Sequence, residues 1–128
     1  MNIKKRTPRI LLIEDEKILL EMYKDKFSEQ GFSIIPALEA KQALALVKKE
    51  KIDLIILDIL LPAENGVYFL RELRKNKNPK ISSIPVIIFS NLDDPDIERE
   101  ARKLGIEEYL LKTDYTPNGI VKKIKEHL

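Results

Sequence analysis

The chain has 128 residues, 44% of them apolar, with no cysteine, no tryptophan, and 23 Lys+Arg against 21 Asp+Glu. Without cysteine there is no disulfide scaffold and no thiolate metal site. A formal charge of +2 is too slight a bias to imply nucleic acid as a partner, and no run approaches the ~18 apolar residues of a membrane span.

A chain of this length is expected to be one domain, residues 1–128, able to bury about two thirds of its unfolded surface. The amino terminus, MNIKKRTP, carries no apolar leader, so a soluble, cytoplasmic protein is expected. Residues 9–13 form a leucine and isoleucine run that breaks into Glu14, Asp15 and Glu16, a buried strand with acids at its exit. Helix signals follow to residue 30, with Leu19 or Leu20, Tyr23 and Phe27 at helical spacing and Gly31 as the stop. Residues 33–36 predict a second, weaker strand, and Ala40, Ala43, Leu44 and Val47 a narrow apolar stripe on a second helix.

Residues 52–57 are a nearly unbroken apolar run ended by Asp58, the signature of a strand buried on both faces of a parallel sheet. Leu61-Pro62 and Asn65-Gly66 supply turn chemistry, and Asn65 can cap a third helix whose inward face is Phe69, Leu70 and Leu73. Residues 76–83 read as a polar loop and 84–89 as a fourth strand ending at Ser90-Asn91. Asp94-Pro95 opens a fourth helix with Ile97, Ala101 and Leu104 inward, before Gly105. Residues 107–111 form the last strand, ending at Lys112. Thr116-Pro117 caps a fifth helix with Ile120, Val121, Ile124 and Leu128 inward. The basic clusters around Lys48, Lys49 and Lys51, and from Arg71 to Lys80, are expected to answer helix dipoles and solvate the surface. His127, the only histidine, reads as a plain surface residue. Five strands alternating with five helices over short connections predict an α/β, three-layer, doubly wound parallel sheet.

In such a sheet the strand exits share one edge, which is where open α/β sheets bind ligands. Glu14, Asp15, Asp58, Ser90 and Lys112 converge there. Any one of them alone is an ordinary cap, turn or surface residue. Together, three carboxylates repel one another unless something positive is present, and Mg²⁺ suits an all-oxygen site that leaves a position for a phosphoryl oxygen. Asp58 is then the nucleophile for an acyl phosphate, with Lys112 and Ser90 answering the phosphoryl oxygens.

The segments ILLIEDE, LIILDILLPAENG, VIIFSN and EEYLLK resemble the receiver domain of two-component response regulators, the CheY-like family, over essentially the whole chain. The resemblance implies a flavodoxin-like sheet in the order 2-1-3-4-5 and phosphotransfer to Asp58 from a histidine kinase or phosphotransfer protein. It implies Mg²⁺ held by Asp15, Asp58 and the Leu60 carbonyl, with Glu14 contributing through water. Ser90 would be the switch hydroxyl and Tyr109 the aromatic that turns inward with it. Four positions depart from the family pattern. Thr113 stands where a proline after a cis bond is usual, and a cis bond without proline costs about 2.5 to 4 kcal/mol, so a trans peptide or a strained exception is expected. Asn91 replaces a very small residue. Leu60 and Leu92 are aliphatic where the family tunes hydrolysis, which implies a slowly lost phosphoryl group.

The output surface implied is the fourth predicted helix, fifth strand and fifth predicted helix, binding a partner protein or a second copy. As the chain stops just after that helix, output is expected by docking or through the rest of a longer regulator. The protein is expected to act on itself and not as a turnover enzyme. Two other classes stand beside this one. A pseudo-receiver would use the fold as a binding module without phosphate. A metal-dependent phosphatase commonly carries a second aspartate two residues after its nucleophile, where this chain has Leu60.

Overall fold

The computed structural model describes residues 6–128; the polar amino-terminal residues 1–5 lie outside it. Five strands, β1 (Arg9–Ile13), β2 (Ser33–Ala37), β3 (Leu54–Leu57), β4 (Val86–Ser90) and β5 (Glu108–Leu111), form one parallel sheet in the order β2-β1-β3-β4-β5. Six α-helices connect and follow them among the described residues: α1 (Lys17–Glu29), α2 (Ala40–Lys49), α3 (Gly66–Arg74), the one-turn α4 (Pro79–Ser82), α5 (Pro95–Leu104) and α6 (Pro117–Glu126).

Side chains of the central strands alternate between two cores, as the two-residue period of a strand requires. Leu11, Ile13, Ile55, Leu57, Val86 and Ile88 face α2, α3 and α5. Ile10, Leu12, Leu54, Ile56, Ile87 and Phe89 face α1 and α6. This double burial is why β3 and β4 read as continuous apolar runs. On α1 the buried face is Leu20, Tyr23 and Phe27, with Leu19 only partly covered; on α2 it is Ala40, Ala43 and Val47, with Leu44 at the margin.

The helix starts follow their capping residues. Asn65 Oδ1 accepts from the Tyr68 amide, Asp94 from the amides of Asp96 and Ile97, and Thr116 from Gly119, each satisfying an amide that the helix leaves free. After α1, Gly31 takes φ 91°, a left-handed turn that favours glycine.

Four sequence expectations are corrected. Residues 76–83 are not all loop: Asn78 caps α4 through the Lys80 amide, with Pro79 at its first turn, so six helices replace five. Arg74 is not a solvated dipole partner. Its guanidinium donates to the carbonyls of Ser82 and Ile84 at 2.8 Å, Leu104 at 3.1 Å and Gly105 at 2.6 Å, tying α3, α4 and the α5–β5 turn together. His127 is partly covered, with Nε2 3.0 Å from Glu108, which also lies 3.3 Å from Lys123; the carboxylates at the start of β5 draw it in. Leu128 is half exposed, because α6 ends at Glu126 and the residue lies beyond the helical stripe.

Candidate functional site

Strand register builds the pocket. Ile13 pairs with Leu57, and one residue further the Asp58 amide donates to the Ile13 carbonyl at 3.1 Å while the Glu14 amide donates to Ala37 at 3.0 Å. The two acids therefore leave adjacent strands side by side. Ser90 pairs with Leu111, which places Lys112 at the next step along the same edge.

Asp58 is buried and its two oxygens are separately engaged. Oδ1 accepts from Ser90 Oγ at 2.6 Å and from the Leu60 amide at 3.0 Å; Oδ2 accepts from Lys112 Nζ at 2.8 Å. Lys112 also donates to Glu14 Oε1, whose other oxygen accepts from the Glu16 amide at 3.1 Å. The lysine thus bridges two carboxylates that would otherwise face each other unscreened. Burial pushes the Glu14 carboxyl up, with the Lys112 bond opposing only part of that shift. For Lys112, burial alone would lower the ammonium's pKa, and the bonds to Asp58 and Glu14 outweigh it and raise it.

Asp15 stands apart. It is half-buried at the mouth and its carboxylate takes no hydrogen bond among the described residues, yet oxygens of Glu14, Asp15 and Asp58 all lie within 4.8 Å of one another. Three carboxylates against one ammonium leave negative charge uncompensated. The donor set is hard oxygen only, which fits Mg²⁺.

A chain of hydrogen bonds leads away from Asp58. The Leu92 amide donates to Ser90 Oγ at 3.3 Å, and the Leu92 carbonyl accepts from the Tyr109 hydroxyl at 2.7 Å. Tyr109 is half-buried against the α2, α3 and α5 core, and its phenol is pushed up to about 12 by burial, then by Glu98, Asp94 and Asp93. Leu92 packs toward the same core, whereas Leu60 is 52% exposed. Asn91 is exposed beside them. The Lys112–Thr113 peptide is trans, the first of the two geometries expected, and the lysine reaches Asp58 from the start of a 3-10 turn over residues 112–114.

All five predicted pocket residues are therefore brought together, and Tyr109 is linked to them through Leu92. Two contributors escaped the sequence reading. Gly66 reads as half of an Asn-Gly turn, but its role is steric. A Cβ there would stand 2.5 Å from the Asp58 carbonyl oxygen, so only glycine lets α3 press against the strand exit. The peptide of Leu92 acts through backbone atoms, and no residue type signals that. The loop between Asp58 and Gly66 also holds Ala63 at φ 62°, a left-handed conformation that costs about 1 kcal/mol for alanine.

Comparison with known proteins agrees with this fold. The model of the response regulator receiver domain matches residues 10–125. A probable transcriptional regulator, ycf27, of Porphyridium aerugineum is 28% identical over 94% of this chain and 48% of its own length. The chain thus spans about half the length of the curated relatives it matches. Among solved structures, the receiver domain of Francisella response regulator 1452 is 30% identical with a TM-score of 0.82, covering 94% of this chain and 95% of that one. A CheY-like receiver domain protein from Methanospirillum hungatei superposes with a TM-score of 0.86 at 24% identity, covering 94% of this chain and 93% of that one. The chain belongs to the response regulator receiver family of two-component signalling systems.

Proposed function

We propose that Asp58 is a phosphoacceptor. In this reading a carboxylate oxygen of Asp58 attacks the phosphorus of a phosphohistidine on a histidine kinase or phosphotransfer protein. The P–O bond forms as the P–N bond breaks, and the imidazole leaves. Lys112, already on Asp58 Oδ2, would follow the charge onto a phosphoryl oxygen, and Ser90 would move its proton donation from Oδ1 to another. The observation that carries this is the convergence of three donors, Ser90 Oγ, Lys112 Nζ and the Leu60 amide, on the two oxygens of one buried aspartate. Such preorganised positioning and charge are nearly all that phosphoryl transfer needs from a protein.

Asp15, Asp58 and the Leu60 carbonyl would hold Mg²⁺, with Glu14 contributing through water. When bound, the ion supplies the positive charge that lets clustered carboxylates and a phosphoryl group share one pocket. Ile18 is 86% exposed and Met22 42% exposed, one turn apart on α1 just after Glu14 and Asp15; they offer the phosphodonor protein an apolar contact beside the pocket.

The signal would leave through Leu92. Moving Ser90 Oγ toward a phosphoryl oxygen pulls on the Leu92 amide, and through its carbonyl on Tyr109. That biases the surface of α5, β5 and α6, the predicted fourth helix, fifth strand and fifth helix, toward a partner protein or a second copy. Leu60, exposed at the mouth, would shield the acyl phosphate from water, with Leu92 excluding it from the other side. A slowly lost phosphoryl group follows. Faster loss from this chain than from a Leu60→Asn, Leu92→Glu variant would overturn that point.

The deciding experiment incubates the protein with a small phosphodonor and Mg²⁺ and measures its mass. One added phosphoryl group, abolished by Asp58→Asn, is expected. A second reading has one observation in its favour: Lys112 bonded to both Glu14 and Asp58 closes the network without phosphate, as a pseudo-receiver would. Failure to label and to bind Mg²⁺ would favour it.

A further inference from the structure

The amino-terminal edge of the sheet carries charges that the phosphoacceptor pocket does not use. Lys48 and Lys49 end α2, Lys51 follows it, and Lys80 lies on α4; all four are exposed. None makes an ion pair among the described residues, although Lys51 is near enough to Asp53 to favour its charged form, and Glu50, the acid set among them, is taken by Arg9 at 2.6 Å. They rim a cavity of about 500 Å³ between α2 and α4, floored by Val47, Ile52, Ile81 and Ile84. A second cavity of about 230 Å³ shares Val47 and Lys48 and continues the slot between α2 and α3 past Leu44 and Leu73, where Glu72 also lines it but is paired with Lys75 at 3.4 Å. Helix ends account for Lys48 and Lys49, and for Lys80 on the single turn of α4, but not for Lys51, nor for the aliphatic floor between them.

We infer that this slot docks an acidic, aliphatic-bearing peptide segment of a partner protein. Unanswered ammonium groups around the rim complement carboxylates, and the floor accepts leucine- or isoleucine-sized side chains. The chemistry disfavours nucleic acid: the rim is lysine, a point charge without the guanidinium fork, and no aromatic ring lines the slot for base stacking. The slot lies at the opposite edge from Asp58, beyond the four residues of β3, roughly 13 Å of strand. A segment bound there leaves the phosphoacceptor pocket open, so docking and phosphotransfer can occur together. This inference does not depend on Asp58 being phosphorylated.

The test titrates the isotope-labelled protein with a short peptide of glutamates interspersed with leucines. Its leucine-to-alanine counterpart and a single-stranded oligothymidylate serve as comparison probes. Saturable binding of the leucine peptide, with amide shifts at Lys48, Ile52 and Ile81, is expected. Lys48→Glu combined with Lys80→Glu, both at exposed positions that leave folding intact, should weaken it at least about tenfold, because it reverses two rim charges. Ile81→Ser, which removes the aliphatic side chain and adds no charge, should weaken it at unchanged rim charge, with thermal unfolding confirming that the variant is folded. Equal binding of the alanine peptide or the oligothymidylate would reduce the slot to bare charge attraction and overturn the proposal. So would shifts confined to other surfaces, or an affinity indifferent to Lys48→Glu with Lys80→Glu. Concentration-dependent dimerisation of the protein alone, abolished by the same pair, would put a second copy in the slot instead and overturn the peptide.

Discussion

The two edges of one sheet treat charge in opposite ways. At the carboxyl edge Glu14 is 2% and Asp58 5% exposed, and Lys112 answers both. At the amino edge Lys48, Lys49, Lys51 and Lys80 stand exposed and make no ion pair among the described residues. A charge removed from water must find a partner inside the fold, whereas an exposed one is free to meet a partner from outside. The carboxyl edge therefore holds its charges fixed by internal partners, and the amino edge leaves several of its lysines open to solvent.

The largest effect expected from breaking this contrast is at Lys112. Lys112→Met leaves Glu14 and Asp58 buried and facing each other, and should destabilise the fold by about 3 kcal/mol in Mg²⁺-free buffer, read by urea unfolding. Added MgCl₂ should restore part of that loss. No recovery would mean that Mg²⁺ does not bind these carboxylates. Next is Gly66→Ala, whose Cβ would stand 2.5 Å from the Asp58 carbonyl. A loss of ~2 kcal/mol is expected, with slower phosphoryl labelling because the strand exit must shift.

Smaller effects test the amino edge, where β5 begins. The His127 bond lowers the Glu108 carboxyl below its ordinary value of 4.5; burial opposes this, and Lys123 adds to it. A depressed carboxyl contributes stability above that ordinary value and loses it as pH falls through the lower folded value. Glu108→Gln should therefore cost ~0.5 kcal/mol near neutrality, and the two proteins should converge in acid. A difference that grows on acidification would contradict the pairing. Lys48→Ala sets the floor of the series. With no partner to lose, it should change stability by less than about 0.5 kcal/mol, and a larger loss would show that the rim lysines answer something within the fold.

Much of the architecture is legible in residue patterns because each signal is local. Apolar runs of strand length, Asn65, Asp94 and Thr116 as caps, and Gly31 as a stop all act within a few residues of themselves. Where the reading and the structure part, the cause is in some places a short local signal and in others a contact distant in sequence. Residues 76–83 look like loop by composition, but Asn78 and Pro79 start a turn of helix that Arg74 then holds by its carbonyls. His127 looks solvated until Glu107 and Glu108 arrive beside it from the start of β5. Leu128 continues a helical stripe on paper, yet the helix has already ended.

The sequence by itself determined the alternation of strands and helices and the residue types at each strand exit, since both follow from periodicity and turn chemistry along the chain. Tertiary structure alone decided which oxygen of Asp58 meets Ser90 and which meets Lys112, and that Gly66 must lack a side chain. It also decided that the Leu92 peptide links Ser90 to Tyr109, and that unpaired lysines from α2 and α4 meet across one aliphatic slot. Those facts depend on register between strands and on the approach of helices far apart in the chain, and neither is written in any short stretch of residues.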